Sequence, residues 1–306
     1  MIGSIDDYLS QLKKALHGCD RATIQDALSD AEEHLRTALA SATAHHATVS
    51  EADALSQIID SYGMPEEVAT AYREIEHRLT PALAQPSYPE EPEEVHREKD
   101  ERPLLVRFFG VFADLRVWGA FLYLLFSLLT GTLYFTWAVT GISLSAGLLV
   151  LIVGLPFTGL FILSVWGIGL VEGRIVEALL GVRMPRRAQY RRGGTGLWPR
   201  FRSIILDGHT WLSLVYMILQ LPLGIAYFTV LVTLIAVALF AIATPILQLG
   251  FDISVVTTEA GAYYFAGWML PLLVVAGILL ATLTMHLARY LGRMHGALAK
   301  ALLVRR

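Results

Sequence analysis

Cysteine is nearly absent. Cys19 stands alone in 306 residues, so no intramolecular disulfide can form and nothing demands an oxidising compartment. Charge is missing in long blocks. Trp211 to Gly250 is forty residues without one Asp, Glu, Lys, Arg or His, and Val117 to Val171 is fifty-five. A membrane-crossing helix needs roughly 20 apolar residues to cover about 30 Å of hydrocarbon, so these blocks exclude a soluble fold for this part of the chain. The start, Met1-Ile2-Gly3-Ser4-Ile5-Asp6-Asp7, lacks the basic residues and apolar run of a signal peptide, and the first segment is expected to stay in the cytoplasm. Catalytic settings are missing as well. No Ser, Cys or carboxylate pair sits in a recognisable nucleophile or acid–base pattern, and there is no nucleotide or phosphoacceptor motif, so no enzyme is expected.

What is present is unevenly spread. Residues 1–103 carry 9 Lys/Arg against 21 Asp/Glu, and residues 104–306 carry 15 against 6. The whole-chain net of −3 therefore conceals an acidic front and a basic, apolar remainder suited to anionic headgroups. The apolar part also repeats. With an offset of 93 residues, Trp118, Tyr123, Gly131, Tyr134-Phe135-Thr136 and Val139-Thr140 fall on Trp211, Tyr216, Gly224, Tyr227-Phe228-Thr229 and Val232-Thr233.

The front reads as four helices. Ile5, Tyr8, Leu9, Leu12 and Leu16 recur at helical spacing, and Gly18 ends that stretch. Asp20 is placed to cap a second helix with its stripe at Ile24, Leu28, Ala31, Leu35 and Leu39, while Asp26, Asp30, Glu32 and Glu33 are expected to face water. A third runs through Leu55, Ile58 and Ile59 to Gly63. Pro65 opens a fourth with Val68, Tyr72 and Ile75 inward. Residues 1–80 should form a small all-helical bundle. Tyr8-Leu9-x-x-Leu12-x-x-Ala15-Leu16, the acidic run ending at Glu33-His34, and Ile58-Ile59-Asp60-Ser61-Tyr62-Gly63-Met64-Pro65-Glu66-Glu67-Val68-Ala69 resemble the HAAS signalling domain. That family is usually met beside PadR-type transcription regulators, often on membrane proteins, and the resemblance implies an adaptor role in cytoplasmic signalling.

Residues 81–103 mix five prolines with acidic residues and read as an extended linker (Pro81, Pro86, Pro89, Pro92 and Pro103). From Leu104 to Arg116, apolar residues alternate with Arg107, Asp114 and Arg116, the pattern of one amphipathic entry helix on the bilayer surface. Gly154 and Pro156 should divide the first apolar block, Pro245 standing at the comparable point of the second copy. Pro222 should separate the excess length of the 211–250 block. Residues 118–129 and 211–221 either cross or lie in the interface. Eight arginines between Glu172 and His209 place that segment inside by the positive-inside rule. Leu249 to Gly267 holds Asp252 and Glu259 without Lys or Arg, and belongs outside as a candidate extracytoplasmic loop. Four crossings with both termini in the cytoplasm of a cell membrane satisfy these biases, in two repeated hairpins at about 104–182 and 200–304.

The repeat continues beyond the spans in one of two registers. Glu172-Gly173 matches His295-Gly296, or Gly173-Arg174 matches Gly292-Arg293. Gly154-Leu155-Pro156, Glu172 with Ala178-Leu179-Leu180-Gly181-Val182, and Asp207-x3-Trp211-x4-Tyr216-x4-Leu221-Pro222-Leu223-Gly224 resemble the sensor domain that precedes the kinase core in many actinobacterial-type histidine kinases. No kinase follows in this chain, and His295 stands where an acidic residue is usual in one register.

The remaining features have plain explanations. His34, His45, His46 and His77 read as surface residues, since no spacing supplies the ligands a metal needs. His209 and His286 sit at membrane edges. Gly193-Gly194-Thr195-Gly196 lacks the strand and the Lys-Ser/Thr pair of a phosphate loop. The arginines suit lipid headgroups better than nucleic acid, because only Tyr190 and Trp198 interleave them. Gly169-x-x-x-Gly173 and Gly141-x-x-x-Ser145 allow close helix packing. The span interiors lack carboxylates and cations, which disfavours transport of charged substrates. The chain therefore reads as all-α and non-enzymatic, a membrane sensor with no cofactor. Its head would regulate a separate PadR-type regulator or kinase. The alternative is an accessory subunit of a permease or export complex. Its partners would be the lipid bilayer and that cytoplasmic protein, and the small-residue packing motifs leave room for a second copy of itself. Glu172, Arg174, Arg289 and Arg293 are expected to couple membrane half to head at the cytoplasmic face.

Overall fold

The computed structural model describes residues 3–45, 51–78, 104–148, 150, 154–185, 207–254, 256–258 and 261–304. The linker at 81–103 and the arginines from 186 to 202 lie outside the described residues, as does Glu259. Two compact units divide the chain, one of residues 1–86, 138–216 and 297–306, the other of 87–137 and 217–296.

The head belongs to the first unit and consists of α1 (Ile5–Ala15), α2 (Arg21–His45), α3 (Glu51–Tyr62) and α4 (Pro65–Arg78). Ser4 caps α1 by accepting from Asp7 N at 3.1 Å. Gly18 and Gly63 turn the chain at φ 92 and 112, conformations that cost a side chain dearly. Tyr8, Leu12 and Leu16 meet Ala27, Ala31 and Leu35 of α2, Leu55 and Ile59 of α3 and Ala69 of α4 in one buried core. Two tyrosines tie its edges: Tyr8 donates to Gly63 O at 2.8 Å and Tyr72 to Asp30 Oδ2 at 2.6 Å. Two expectations fail here. Ile75 is exposed, because Ala69 and Tyr72 already fill the α4 face that meets the core. Glu32 is buried and not in water, and it pairs with Arg36 at 2.8 Å one turn along α2.

Four described helices are long and apolar enough to cross a membrane: α6 (Leu115–Leu148), α7 (Gly154–Leu180), α8 (Gly208–Gly250) and α9 (Met269–Leu303). With the head, they make the chain all-α, with four spans in two hairpins. The long α8 does not break. Its 43 residues run through both Pro222 and Pro245, correcting the expected division at Pro222. A proline removes one ladder bond and kinks a helix, but apolar surroundings penalise a full break more, since every freed backbone group then needs a partner. At about 1.5 Å per residue, 43 residues make roughly 65 Å, so α8 must tilt or extend past the hydrocarbon. Residues 118–129 and 211–221 are continuous with their spans. Pro156 is the third residue of α7 and Pro271 the third of α9, whereas Pro245 lies inside α8. Proline is tolerated in a first turn because the N–H it lacks has no partner there.

The segment before α6 is not one helix. It divides into α5 (Leu104–Phe109) and a 3-10 turn at Gly110–Ala113, and Asp114 then starts α6 by accepting from Arg116 N at 3.0 Å. Asp114 favours a cap over a helix interior, which explains the interruption. Within the second unit Val111, Val117 and Met285 pack together, and His286 Nε2 lies 3.0 Å from Phe108 O. A two-stranded antiparallel hairpin, β1 (Val256–Thr258) with β2 (Gly261–Tyr263), joins α8 to α9 and pairs Val256 with Tyr263.

Candidate functional site: two tyrosine-centred polar clusters

In the second unit α6 and α8 cross at their glycines. A Cβ on Gly131 would lie 2.6 Å from Gln220 O and 2.9 Å from Leu221 Cα, and a Cβ on Gly224 would collide with Ser127 O. Ser127 and Leu128 become Gln220 and Leu221 under the 93-residue offset, just as Gly131 becomes Gly224. The two contacts are therefore one contact made twice, the mark of a local two-fold between the copies. Glycine is required there because backbone touches backbone.

The same unit holds a buried polar cluster. Tyr123 of α6 and His295 Nε2 of α9 are 2.7 Å apart, and the Gln220 amide of α8 donates to the Tyr123 oxygen at 3.2 Å. With that donor in place, the Tyr123 hydroxyl proton is left for His295 Nε2. Tyr227 stands edge-on to the imidazole with ring centres 5.7 Å apart. Tyr123, Gln220 and His295 are almost wholly enclosed. Removing one member would strand buried polar atoms, at about 1–3 kcal/mol each.

The first unit holds the equivalent pair. Tyr216 of α8 donates to Glu172 Oε1 of α7 at 2.8 Å, and both are buried. Gly173 beside it admits Met184, whose Cβ would be 3.4 Å from an added Cβ. Trp166 donates to Thr210 at 3.2 Å, and His209 Nε2 lies 2.9 Å from Leu303 O at the end of α9. Tyr123 and Tyr216 are repeat equivalents, so their partners His295 and Glu172 are equivalent too. This fixes the register as Glu172-Gly173 on His295-Gly296 and rejects the one based on Gly292.

These positions match the families found by comparison. The family described as "Putative sensor" is matched over residues 123–303, more than half of the chain. The chain belongs to this sensor family. The matched stretch begins at Tyr123 and ends at Leu303, so it takes in both tyrosine pairs and the glycine crossing. The head is matched by the HAAS family over residues 7–71. No curated protein and no solved structure matches the chain. Both families are signalling modules, and the sensor region is a multi-pass membrane structure.

The other expected site residues fall as follows. Asp207 precedes α8 and accepts from His209 N at 3.4 Å, and Thr210 N donates to its backbone oxygen at 3.0 Å. Trp211 is half exposed, Pro222 lies inside α8 and Gly224 makes the crossing. Glu172 was expected on a charged surface and is instead enclosed. A carboxyl group there persists because Tyr216 satisfies it. Arg174 is exposed and pairs with Glu177 at 2.8 Å. Arg289 stands 3.6 Å from Asp114, and Arg293 is exposed. Asp252 has φ 50, and its backbone oxygen accepts from Tyr264 at 3.3 Å. Sequence reasoning missed Gln220, Tyr227, and the ion pair of Lys300 with Asp20 in the head. The offset could have pointed to Tyr227, which repeats Tyr134. Nothing in the sequence linked Lys300 to a residue 280 positions away.

Proposed function

We propose that this chain is a non-enzymatic membrane signalling protein of the cell membrane, both termini cytoplasmic, whose sensor region sets the state of the HAAS head and thereby of a separate effector, a PadR-type regulator or a kinase. The observation that carries this reading is on α9. The helix contributes His295 to a buried polar cluster and, five residues later, Lys300 to an ion pair with Asp20 at the α1–α2 corner. One helix thus holds a packing-sensitive group and a head contact, and a rotation of α9 would be felt at both. The absence of charge from mid-span suits a stimulus of apolar chemistry, a lipid-like ligand or the state of the bilayer itself.

The test is hydrogen exchange of the full chain in nanodiscs of short-chain and long-chain phosphatidylcholine. A bilayer-thickness change should alter protection at residues 16–24 while leaving the α3 core unchanged. Identical protection in both lipids, and after addition of apolar extracts, would refute a sensing role for the membrane half.

A further inference from the structure

Where α8 hands over to α9, polar groups turn inward and apolar ones are left outside. Gln248, in the last turn of α8, engages both backbone groups of Phe265: its Oε1 accepts from Phe265 N at 3.0 Å and its Nε2 donates to Phe265 O at 2.7 Å. A side-chain amide bonded this way imitates the pairing of a neighbouring strand and fixes the chain leaving β2 to the helix end. Asp252, at φ 50, turns the chain out of α8, and Ile253 N donates to Leu247 O at 3.0 Å. Tyr264 closes the same corner by donating to Asp252 O. The β1–β2 hairpin is therefore built onto the end of α8. Its apolar side chains have no such support. Leu249, Phe251, Ile253, Tyr263 and Trp268 are each at least half exposed, and every residue of β2 is exposed. Two short strands alone are marginally stable in water, and so many large apolar side chains in one aqueous loop are unusual.

The exposed surface continues into the spans. Ile246 precedes Leu249 by one turn of α8, and Leu272 follows Trp268 by four residues at the start of α9; both are more than half exposed. On a span, lipid covers such side chains, so the apolar surface of the hairpin begins where the lipid-facing surface ends. Charge narrows the occupant. No Lys or Arg occurs from Ser203 to Ala288, so nothing here attracts an anionic headgroup. The exposed Asp252 and the aromatic faces instead suit a headgroup that carries an ammonium. We infer that the β1–β2 hairpin is an interfacial lipid-binding element: Phe251, Ile253, Tyr263 and Trp268 lie in the headgroup layer at the α8–α9 end of the spans, and the element takes zwitterionic headgroups over anionic ones. Tyr and Trp suit that depth because one side chain joins an apolar ring to a polar edge. The inference needs α8 and α9 to cross a bilayer, but neither a partner for the head nor a signal.

The experiment places an NBD fluorophore at Ala262→Cys, an exposed position of β2, in the full-length Cys19→Ser protein. In phosphatidylcholine vesicles, lipid spin-labelled at the headgroup should quench it roughly threefold more than lipid spin-labelled deep in the acyl chain, and aqueous iodide should quench it weakly. Adding Phe251→Ser and Trp268→Ser should reverse the order, with iodide the stronger quencher. Replacing half of the phosphatidylcholine by phosphatidylglycerol should reduce headgroup quenching about twofold. Strong iodide quenching without headgroup quenching in the parent would overturn the inference. Headgroup quenching that ignores Phe251→Ser and Trp268→Ser would place the fluorophore, and not these side chains, in the lipid, and would overturn it as well. Equal quenching in the two lipid mixtures would overturn the preference for zwitterionic headgroups.

Discussion

Tyr216 reaches Glu172 at 2.8 Å, and its repeat equivalent Tyr123 reaches His295 at 2.7 Å, so the tyrosine of each copy closes on a different titratable group. The tyrosine of the first copy meets the last helix of the second, and the tyrosine of the second meets the last helix of the first. Neither hairpin completes its own polar pair. Each tyrosine pair therefore joins one copy to the other.

Removing a hydroxyl tests this dependence. Tyr216→Phe should leave Glu172 without that donor and lower thermal stability in detergent by about 1–3 kcal/mol, while Glu172→Gln, which keeps an acceptor, should cost less. Unfolding followed by intrinsic fluorescence measures both. Equal losses in the two variants would mean that the pair does not hold the helices.

The glycine crossing makes a steric prediction. Gly131→Leu or Gly224→Leu should prevent α6 and α8 from closing and reduce the yield of monodisperse protein several-fold. Gly147→Leu, where an added Cβ meets nothing within 4 Å, should be tolerated. Size-exclusion profiles of the three decide it.

The head should fold without the membrane half, given its closed core, and its stability should depend on high pH. Burial first, and then the hydrogen bond and charge of Asp30, push the Tyr72 hydroxyl up from the ordinary 10.0; burial does the same for Tyr8. A folded-state pKa above the unfolded one means that the stabilisation is complete below pH 10 and is lost as pH rises beyond it. Residues 1–80 should melt cooperatively at pH 7 and lose stability steeply above pH 10. Tyr72→Phe should cost about 1–2 kcal/mol at pH 7 and soften the alkaline loss. Circular dichroism across pH checks both.

Topology is tested by labelling in a Cys19→Ser background. Ser254→Cys, beside the β-hairpin, should react with an impermeant maleimide from outside, and Thr195→Cys only after permeabilisation. Reaction of Thr195→Cys in intact cells would contradict cytoplasmic termini.

Much of this was legible in the sequence for physical reasons. The fold class followed from apolar runs too long for any soluble core, and the head from stripes at helical spacing punctuated by Gly18 and Gly63. The 93-residue offset exposed Tyr123 and Tyr216 as equivalents. It could not show what they touch, because contacts across helices depend on crossing geometry that one strand of text does not encode. For the same reason Glu172 read as a surface charge: its tyrosine partner lies 44 positions away. Pro222 read as a break because proline rules are drawn mainly from helices in water, where a freed carbonyl finds a new partner at once. Glu32 looks like a solvated side chain in the sequence, because nothing there shows its burial beside Arg36.

In the proposed function, α9 carries the state of the membrane half to the head through Lys300 and Asp20. The most direct measurement compares full-length parent and Lys300→Gln in thin and thick nanodiscs, by hydrogen exchange at residues 16–24. Protection should differ between the two bilayers in the parent, and the difference should disappear in Lys300→Gln, with folding intact in both. A difference that persists unchanged in Lys300→Gln would show that Lys300 and Asp20 do not carry the signal and that α9 merely tethers the head at this point.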